Sequence, residues 1–354
     1  MIWIFIGGLA GLVIGAELLV RGASKRALSF GISPLVVGLT IVAFGTSAPE
    51  LAVSVGAVLD NRTDIAIGNV VGSNILNILF ILGLSAIITP LVVNMQIIRQ
   101  EIPVMIGASI LLVVLALDGQ LSFTDCAILV MLMLLYSGFL IVQSRNDSKT
   151  ADNEYAQSME SHSTWDAHWL MQVLLVAAGL GFLVLGSEWL VSASVAFAKT
   201  MGVSDLVIGL TIVAVGTSMP EVATSIMASL RNQRDIAIGN VVGSNMFNIF
   251  GCLGISGLVA PEGLGVPSAV LNFDIWVMLA VAFACLPVFI SGRQIARWEG
   301  FIFLGYYIAY TAYVVMAAQG HDALEPFSNV MMSFVLPITV ITLIVVIVRP
   351  SVQK

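Results

Sequence analysis

The sequence predicts an all-α polytopic membrane protein. It should consist of two inverted five-helix repeats, ten core transmembrane helices in all, followed by an extra C-terminal helix. Three observations lead there. Of 354 residues, 58% are hydrophobic and only 10% are charged, whereas a soluble domain carries about a quarter charged residues. Such a chain cannot cover a water-facing surface, so its solvent is mostly lipid. Apolar segments long enough to cross a bilayer follow one another through the chain, and one polar pattern occurs twice at a constant offset.

A bilayer core accepts about 20 apolar residues as a helix. Spans are expected at 2–20, 33–59, 65–90, 102–117, 124–143, 168–197, 203–230, 236–260, 273–291, 299–318 and 328–348. The short alternating segments of a transmembrane barrel are absent. The basic residues test this topology. Arg21, Lys25, Arg26, Arg99, Arg145, Lys149, Arg231, Arg234, Arg293, Arg297, Arg349 and Lys354 fall on one side, and only Arg62 and Lys199 on the other. Basic loops stay in the cytoplasm. The N-terminus is therefore expected outside, and the 144–167 loop and C-terminus inside. Ten spans would put Arg349 and Lys354 on the wrong side.

The chain then divides into a first repeat unit at 1–143, a flexible cytoplasmic linker at 144–167, a second, inverted unit at 168–318, and an extra helix and tail at 319–354. The linker is polar and too short for a domain. The net charge of −7 offers no basic patch for nucleic acid. Cys126, Cys252 and Cys285 lie in apolar stretches without disulfide or zinc spacing and read as packing residues.

The duplication is explicit. VVGLTIVAFGTSAPELAVSV at 36–55 answers to VIGLTIVAVGTSMPEVATSI at 207–226, and DIAIGNVVGSNILNI at 64–78 to DIAIGNVVGSNMFNI at 235–249. The offset is 171 residues for Glu17/Glu188, Glu50/Glu221 and Asn69/Asn240 alike. Five spans separate corresponding points. That number is odd, so the second copy lies upside down. Inverted repeats mark secondary transporters, with the site near the midplane where the copies meet.

Glu50 and Glu221 lie deep in apolar spans. A buried carboxylate takes a proton or finds a cation, and no basic residue lies at membrane depth to pair with either. Thr46, Ser47 and Glu50 stand at i, i+1 and i+4, which brings them to one face; Thr217, Ser218 and Glu221 repeat this. Pro49 and Pro220 lack an N–H and crowd the preceding turn. Carbonyls around Ala43–Gly45 and Ala214–Gly216 should thus be partly freed. Ser73 and Asn77 form a second i, i+4 pair, matched by Ser244 and Asn248. Asn69, Asn74, Asn240 and Asn245 lie on adjacent faces, where helix–helix hydrogen bonding is the competing role. These are hard oxygen donors suited to Ca²⁺, which takes about 6–8 oxygens. The absence of His and Cys argues against zinc or copper. Glu17 and Glu188, near span ends, read as snorkelling or structural groups, and Asp64 and Asp235 as acids at helix N-termini.

GTSAPE at 45–50 and GTSMPE at 216–221, each followed by GNVVGSN, resemble the α-repeats of the calcium/cation antiporter superfamily, most closely the sodium/calcium exchangers of bacteria and archaea. The resemblance covers roughly residues 2–318 and leaves the last span outside. It implies a multi-pass protein of the plasma or inner membrane. It further implies exchange of Na⁺ for Ca²⁺ at about three to one, without cofactor, nucleic acid or obligate protein partner. On this resemblance Glu50 and Glu221 bind calcium, and sodium shares these two acids. Thr46, Ser47, Ser73, Asn77, Thr217, Ser218, Ser244 and the carbonyls of Ala43 and Ala214 fall at ion-ligand positions. Asn248 departs from many relatives, which carry Asp there, and this weakens a case for potassium co-transport. GNVVGSN lacks the extra acid usual in calcium/proton exchangers, the principal alternative. A passive channel is a further alternative. A hydrolase is disfavoured because His162, His168 and His321 lie in loops or at a span edge, away from any buried serine.

Overall fold

A computed structural model describes residues 2–30, 33–151, 169–201, 214–260 and 262–348. The fold is all-α. Its helices are α1 (Ile2–Phe30), α2 (Pro34–Thr46), α3 (Ala48–Leu59), α4 (Thr63–Ile88), α5 (Ile97–Ala116), α6 (Phe123–Ala151), α7 (Trp169–Thr200), α8 (Ala214–Thr217), α9 (Met219–Leu230), α10 (Arg234–Leu258), α11 (Val270–Ile290), α12 (Arg297–Gln319) and α13 (Leu324–Thr342). Among the described residues nine helices are long and apolar enough to cross a membrane, and the bent pair α2–α3 makes a tenth. The remaining expected span, 203–230, begins outside the described residues; α8 and α9 are its described part. The protein is thus a multi-pass integral membrane protein, and its lipid-facing residues include Trp3, Phe139 and Phe301. Helix α6 runs on to Ala151, into the segment expected as a linker at 144–167. Lys, Arg, Asp and Ser are tolerated in a helix that has left the apolar layer. Residues 152–168 lie outside the described residues.

Local sequence explains the element ends. Ser33 caps α2 by accepting the Val36 N–H at 3.3 Å, with Pro34 in the first turn. The α3–α4 and α9–α10 turns are copies of one another. Asn61 and Asn232 adopt left-handed φ values of 59° and 55°, which Asn tolerates. The following N–H of Arg62 and Gln233 returns to the carbonyl of Ala57 and Ala228, 2.8 Å in each case. Asp64 and Asp235 sit in the first turns of α4 and α10, as expected of helix-starting acids.

The two copies interlock. α1 and α7 cross at reciprocal glycines: a Cβ on Gly15 would lie 2.7 Å from the Leu183 nitrogen, and one on Gly186 2.7 Å from the Leu12 nitrogen. Small residues let membrane helices approach to backbone contact. Two short antiparallel clips also join the halves. Leu91–Val92 pairs with Gln294–Ile295, and Gln120–Leu121 with Leu264–Gly265. α4 and α10 form the centre, and every residue of the apolar window of α10 is buried. α12 and α13 lie at the periphery, joined by a hydroxyl–hydroxyl bond between Tyr306 and Thr339.

Candidate functional site

The centre of the molecule is where the two broken helices meet α4 and α10. The α2–α3 helix bends by 42° at Ser47, whose φ and ψ of −84° and 8° leave the helical region. Ser218 repeats this with −86° and 7°. Pro49 and Pro220 follow each break, so the chain restarts a helix with Glu50 or Glu221 in its first turn. The free N–H groups of a helix start favour negative charge. α4 and α10 each widen into a π-helical turn, Asn77–Leu82 and Asn248–Leu253, beginning at the Asn of interest. Such bulges often mark functional sites.

The carboxylates are joined across the pseudo-symmetry. Ser47 Oγ donates to Glu221 Oε1 at 2.7 Å, and Ser218 Oγ donates to Glu50 Oε1 at 2.8 Å. Each serine stands one turn from the other copy's partner, so both acids share one pocket. Glu50 and Glu221 are each 1% exposed. Oε2 of each is buried and without a protein hydrogen bond. Glu101 shows the contrast. This buried acid accepts Gln96 Nε2 at 2.9 Å and Gln100 Nε2 at 3.0 Å on one oxygen, and the Tyr136 hydroxyl on the other. Its acceptors are filled by neutral donors, as a structural acid requires. Those of Glu50 and Glu221 are not.

The remaining predicted residues converge on the same pocket. Ser73 Oγ lies 3.1 Å from Ser218 Oγ, and Ser244 Oγ is buried without a partner. Asn77 Nδ2 donates to Asn245 Oδ1 at 2.9 Å and Asn248 Nδ2 to Asn74 Oδ1 at 3.1 Å. The Asn77 Oδ1 has no partner, whereas that of Asn248 accepts a weak bond from the Cys252 thiol at 3.6 Å. Thr46 donates to Asn240 Oδ1 at 3.1 Å and Thr217 to Asn69 Oδ1 at 3.3 Å. Ala214 opens α8, one turn before Ser218.

Within the segment expected to hold partly freed carbonyls, that of Ala43 still accepts the Ser47 N–H at 3.0 Å, with the Thr46 hydroxyl 3.3 Å away. A proline removes the donor to the carbonyl four residues back, which is Gly45 in the first copy and Gly216 in the second. The Gly216 carbonyl receives a substitute donor, Ser187 Oγ at 2.6 Å. The residue related to Ser187 is Ala16, which has none to offer.

A supporting layer emerges that sequence reasoning left undecided. Asn69 and Asn240 buttress the broken helices, donating to Ser54 and Ser225 at 3.1 and 2.9 Å and to the Glu50 and Glu221 carbonyls at 3.2 and 3.4 Å. Asn74 and Asn245 donate to each other's backbone carbonyls at 3.3 and 3.4 Å, with Met278 and Met105 sulfurs beside them at 3.6 Å. These four asparagines tie helices together. The repeat exposed them as pairs; Met105, Met278 and Ser187 had no signal beyond their apolar or small-residue surroundings. Among the described residues no group of three or more His, Cys, Asp or Glu is poised around a metal.

A family model for the sodium/calcium exchanger protein matches residues 1–142 and 171–316. This chain belongs to the sodium/calcium exchanger family. The family is one of transporters rather than enzymes, and α13 lies beyond its matched residues. The putative antiporter CaxA of Alkalimonas amylolytica is 37% identical over 310 residues, covering 86% of this chain and 95% of CaxA. The sodium/calcium exchanger MaX1 of Methanosarcina acetivorans is 32% identical over 338 residues, covering 87% and 96%. The inner membrane protein YrbG of Escherichia coli is 33% identical over 309 residues, covering 87% and 95%. The solved sodium-calcium exchanger NCX_Mj, soaked with Na⁺ and Ca²⁺, superposes with a TM-score of 0.74 at 31% identity, covering 88% of this chain and 97% of NCX_Mj. The inverted five-helix architecture is therefore that of an exchanger.

Proposed function

We propose that this exchanger moves Na⁺ inward and Ca²⁺ outward through the pocket between Glu50 and Glu221. The observation that carries the reading is the pair of buried carboxylates, each with one oxygen bonded by the opposite copy's serine and the other left without a protein partner. No Lys, Arg or His contact is described for either acid, so the missing counter-charge is a mobile cation. Oxygens of Thr46, Ser47, Ser73, Asn77, Thr217, Ser218, Ser244 and Asn248, with the carbonyls of Ala43 and Ala214, supply the rest of a hard-cation shell. One Ca²⁺ neutralises two carboxylates, whereas three Na⁺ leave one positive charge. Exchange of about three Na⁺ for one Ca²⁺ is therefore electrogenic, and an inside-negative potential contributes about 2.3 kcal/mol per charge per 100 mV toward calcium efflux. The basic-residue distribution supports an external N-terminus and cytoplasmic 144–167 loop and C-terminus.

The test is ⁴⁵Ca²⁺ uptake into Na⁺-loaded proteoliposomes diluted into sodium-free medium, with and without an imposed potential. Uptake that requires internal Na⁺ and responds to voltage is expected. Uptake driven by a pH gradient without Na⁺ would establish proton exchange instead, and conduction without any counter-gradient would establish a channel.

A further inference from the structure

The two copies agree closely in the interior and disagree at the rim. On one face α1 lies across α9 and the start of α10. Ala16, Leu19 and Val20 share a buried cluster there with Ala228, Ile236 and Ala237. The edge of this contact is tied by a forked ion pair: Arg231 Nε donates to Glu17 Oε2 at 3.0 Å, and Nη2 to Oε1 at 2.5 Å. On the other face, the 171-residue offset turns Glu17 into Glu188 and Arg231 into Asp60. Two carboxylates stand where the ion pair stood. The helix surface below is bare: Ala52, Val53 and Gly56 are exposed, whereas of their counterparts Thr224 is buried and Ala223 and Met227 are partly buried. A Cβ on Gly56 would meet nothing within 4 Å.

We propose that Glu17 and Arg231 are positioning residues of the transport cycle. They hold α1 over α9 and close the route from the central site to the Arg231 face. Among the described residues the opposite face shows no such tie, since the related positions are both acids, Glu188 and Asp60, and so it is the face that opens more readily. A guanidinium fork on a carboxylate defines an orientation as well as an attraction, and here it fixes how α1 lies on the core. The pair is partly exposed, 59% at Arg231 and 31% at Glu17. It therefore biases an equilibrium modestly and leaves it reversible, as a carrier requires. The proposal rests on the exchanger reading of the central site, but its test reads conformation and not flux.

A cysteine placed at Ala223, under α1, reports the closure. The native cysteines Cys126, Cys252 and Cys285 are buried and give the background in the parent chain. A charged, membrane-impermeant thiol reagent is applied to right-side-out and to inverted vesicles. Glu17→Gln and Arg231→Gln should each raise labelling of Ala223→Cys from the Arg231 face by about two- to fivefold, the size of an exposed ion pair. The exchanged pair Glu17→Arg with Arg231→Glu should return labelling to the parent rate. Unchanged labelling in both single variants would overturn the proposal. So would a rise that the exchanged pair fails to reverse. Failure of Na⁺-driven Ca²⁺ uptake with labelling as expected would instead refute the transport reading and leave the closure standing.

Discussion

Replacing Glu221 by Gln tests the central site most directly. The two side chains have the same shape, and the amide oxygen still accepts Ser47 Oγ, now 2.7 Å from Glu221 Oε1. The amide NH₂ then occupies the place of Oε2, which has no protein partner. One change thus removes a negative charge and aims a donor at the cation. Removing one partner of a buried charge pair costs about 3–5 kcal/mol. At about 1.4 kcal/mol per tenfold, Ca²⁺ affinity should fall between roughly a hundredfold and a few thousandfold. Thermal unfolding in detergent reads this without transport. Ca²⁺ at a hundred times the parent Kd stabilises the parent by about 2.7 kcal/mol. A variant bound at least a hundredfold more weakly gains no more than about 0.4 kcal/mol at the same concentration. Without ions the variant should be at least as stable as the parent, because an uncompensated buried charge is gone. Equal Ca²⁺-induced stabilisation in variant and parent, or ⁴⁵Ca²⁺ uptake within about tenfold of parent, would refute the reasoning. Glu50→Gln should behave alike, since Ser218 holds it in the same way.

Three further outcomes follow from the geometry. Ser187→Ala strips the substitute donor from the Gly216 carbonyl and should lower stability by about 1–3 kcal/mol, read as a fall in unfolding midpoint; Ala16, at the related position, has no such bond to lose. Asn245→Ala removes the acceptor of Asn77 and the cross-bond to Asn74, and should destabilise the ion-free protein by about 1–3 kcal/mol, whereas Asn77→Ala should chiefly weaken Ca²⁺-induced stabilisation. Gly186→Val places a branched side chain where a Cβ already lies 2.7 Å from the Leu12 nitrogen; overpacking costs typically about 1–3 kcal/mol, and here α1 and α7 must part, so loss of monodisperse protein in size-exclusion chromatography is expected.

Most of this site was legible because its chemistry is costly in lipid. A carboxylate, serine or asparagine at membrane depth stands out against apolar neighbours, and the repeat doubled each signal. The broken helices were foreseeable from Pro49 and Pro220. What escaped were properties of contacts. Freed carbonyls were expected across Ala43–Gly45 and Ala214–Gly216, but only a hydrogen-bond accounting shows that Ala43 keeps the Ser47 N–H and that Ser187 serves Gly216. The strand clips are two residues long, too short for a period-two pattern to register. Glu17 was read as a structural or interfacial acid; its partner Arg231, 214 residues away, is visible only once the helices are packed. Helix α6 outruns its apolar segment because hydropathy marks the bilayer and not the end of a helix.

The pattern of agreement between the copies bears on how such a protein works. Around the pocket the pairs are identical in type: Thr46/Thr217, Ser47/Ser218, Glu50/Glu221, Asn69/Asn240, Ser73/Ser244, Asn74/Asn245 and Asn77/Asn248. A chain whose copies matched everywhere would have two conformations related by its pseudo-two-fold axis, and these would be equal in energy. Such a carrier would have no preferred resting face. Among the differences that break the degeneracy are Ala16/Ser187, Val53/Thr224 and Asp60/Arg231, with Ile81/Cys252 bordering the pocket through Asn248. The first three fall on surfaces where α1 or α7 meets the broken helices, the surfaces that must rearrange if access is to alternate. A substitution at the carboxylates changes what is bound in both states, whereas one at the rim changes only which state is populated. Symmetry at the pocket with asymmetry at the rim therefore lets ion selectivity and sidedness vary independently.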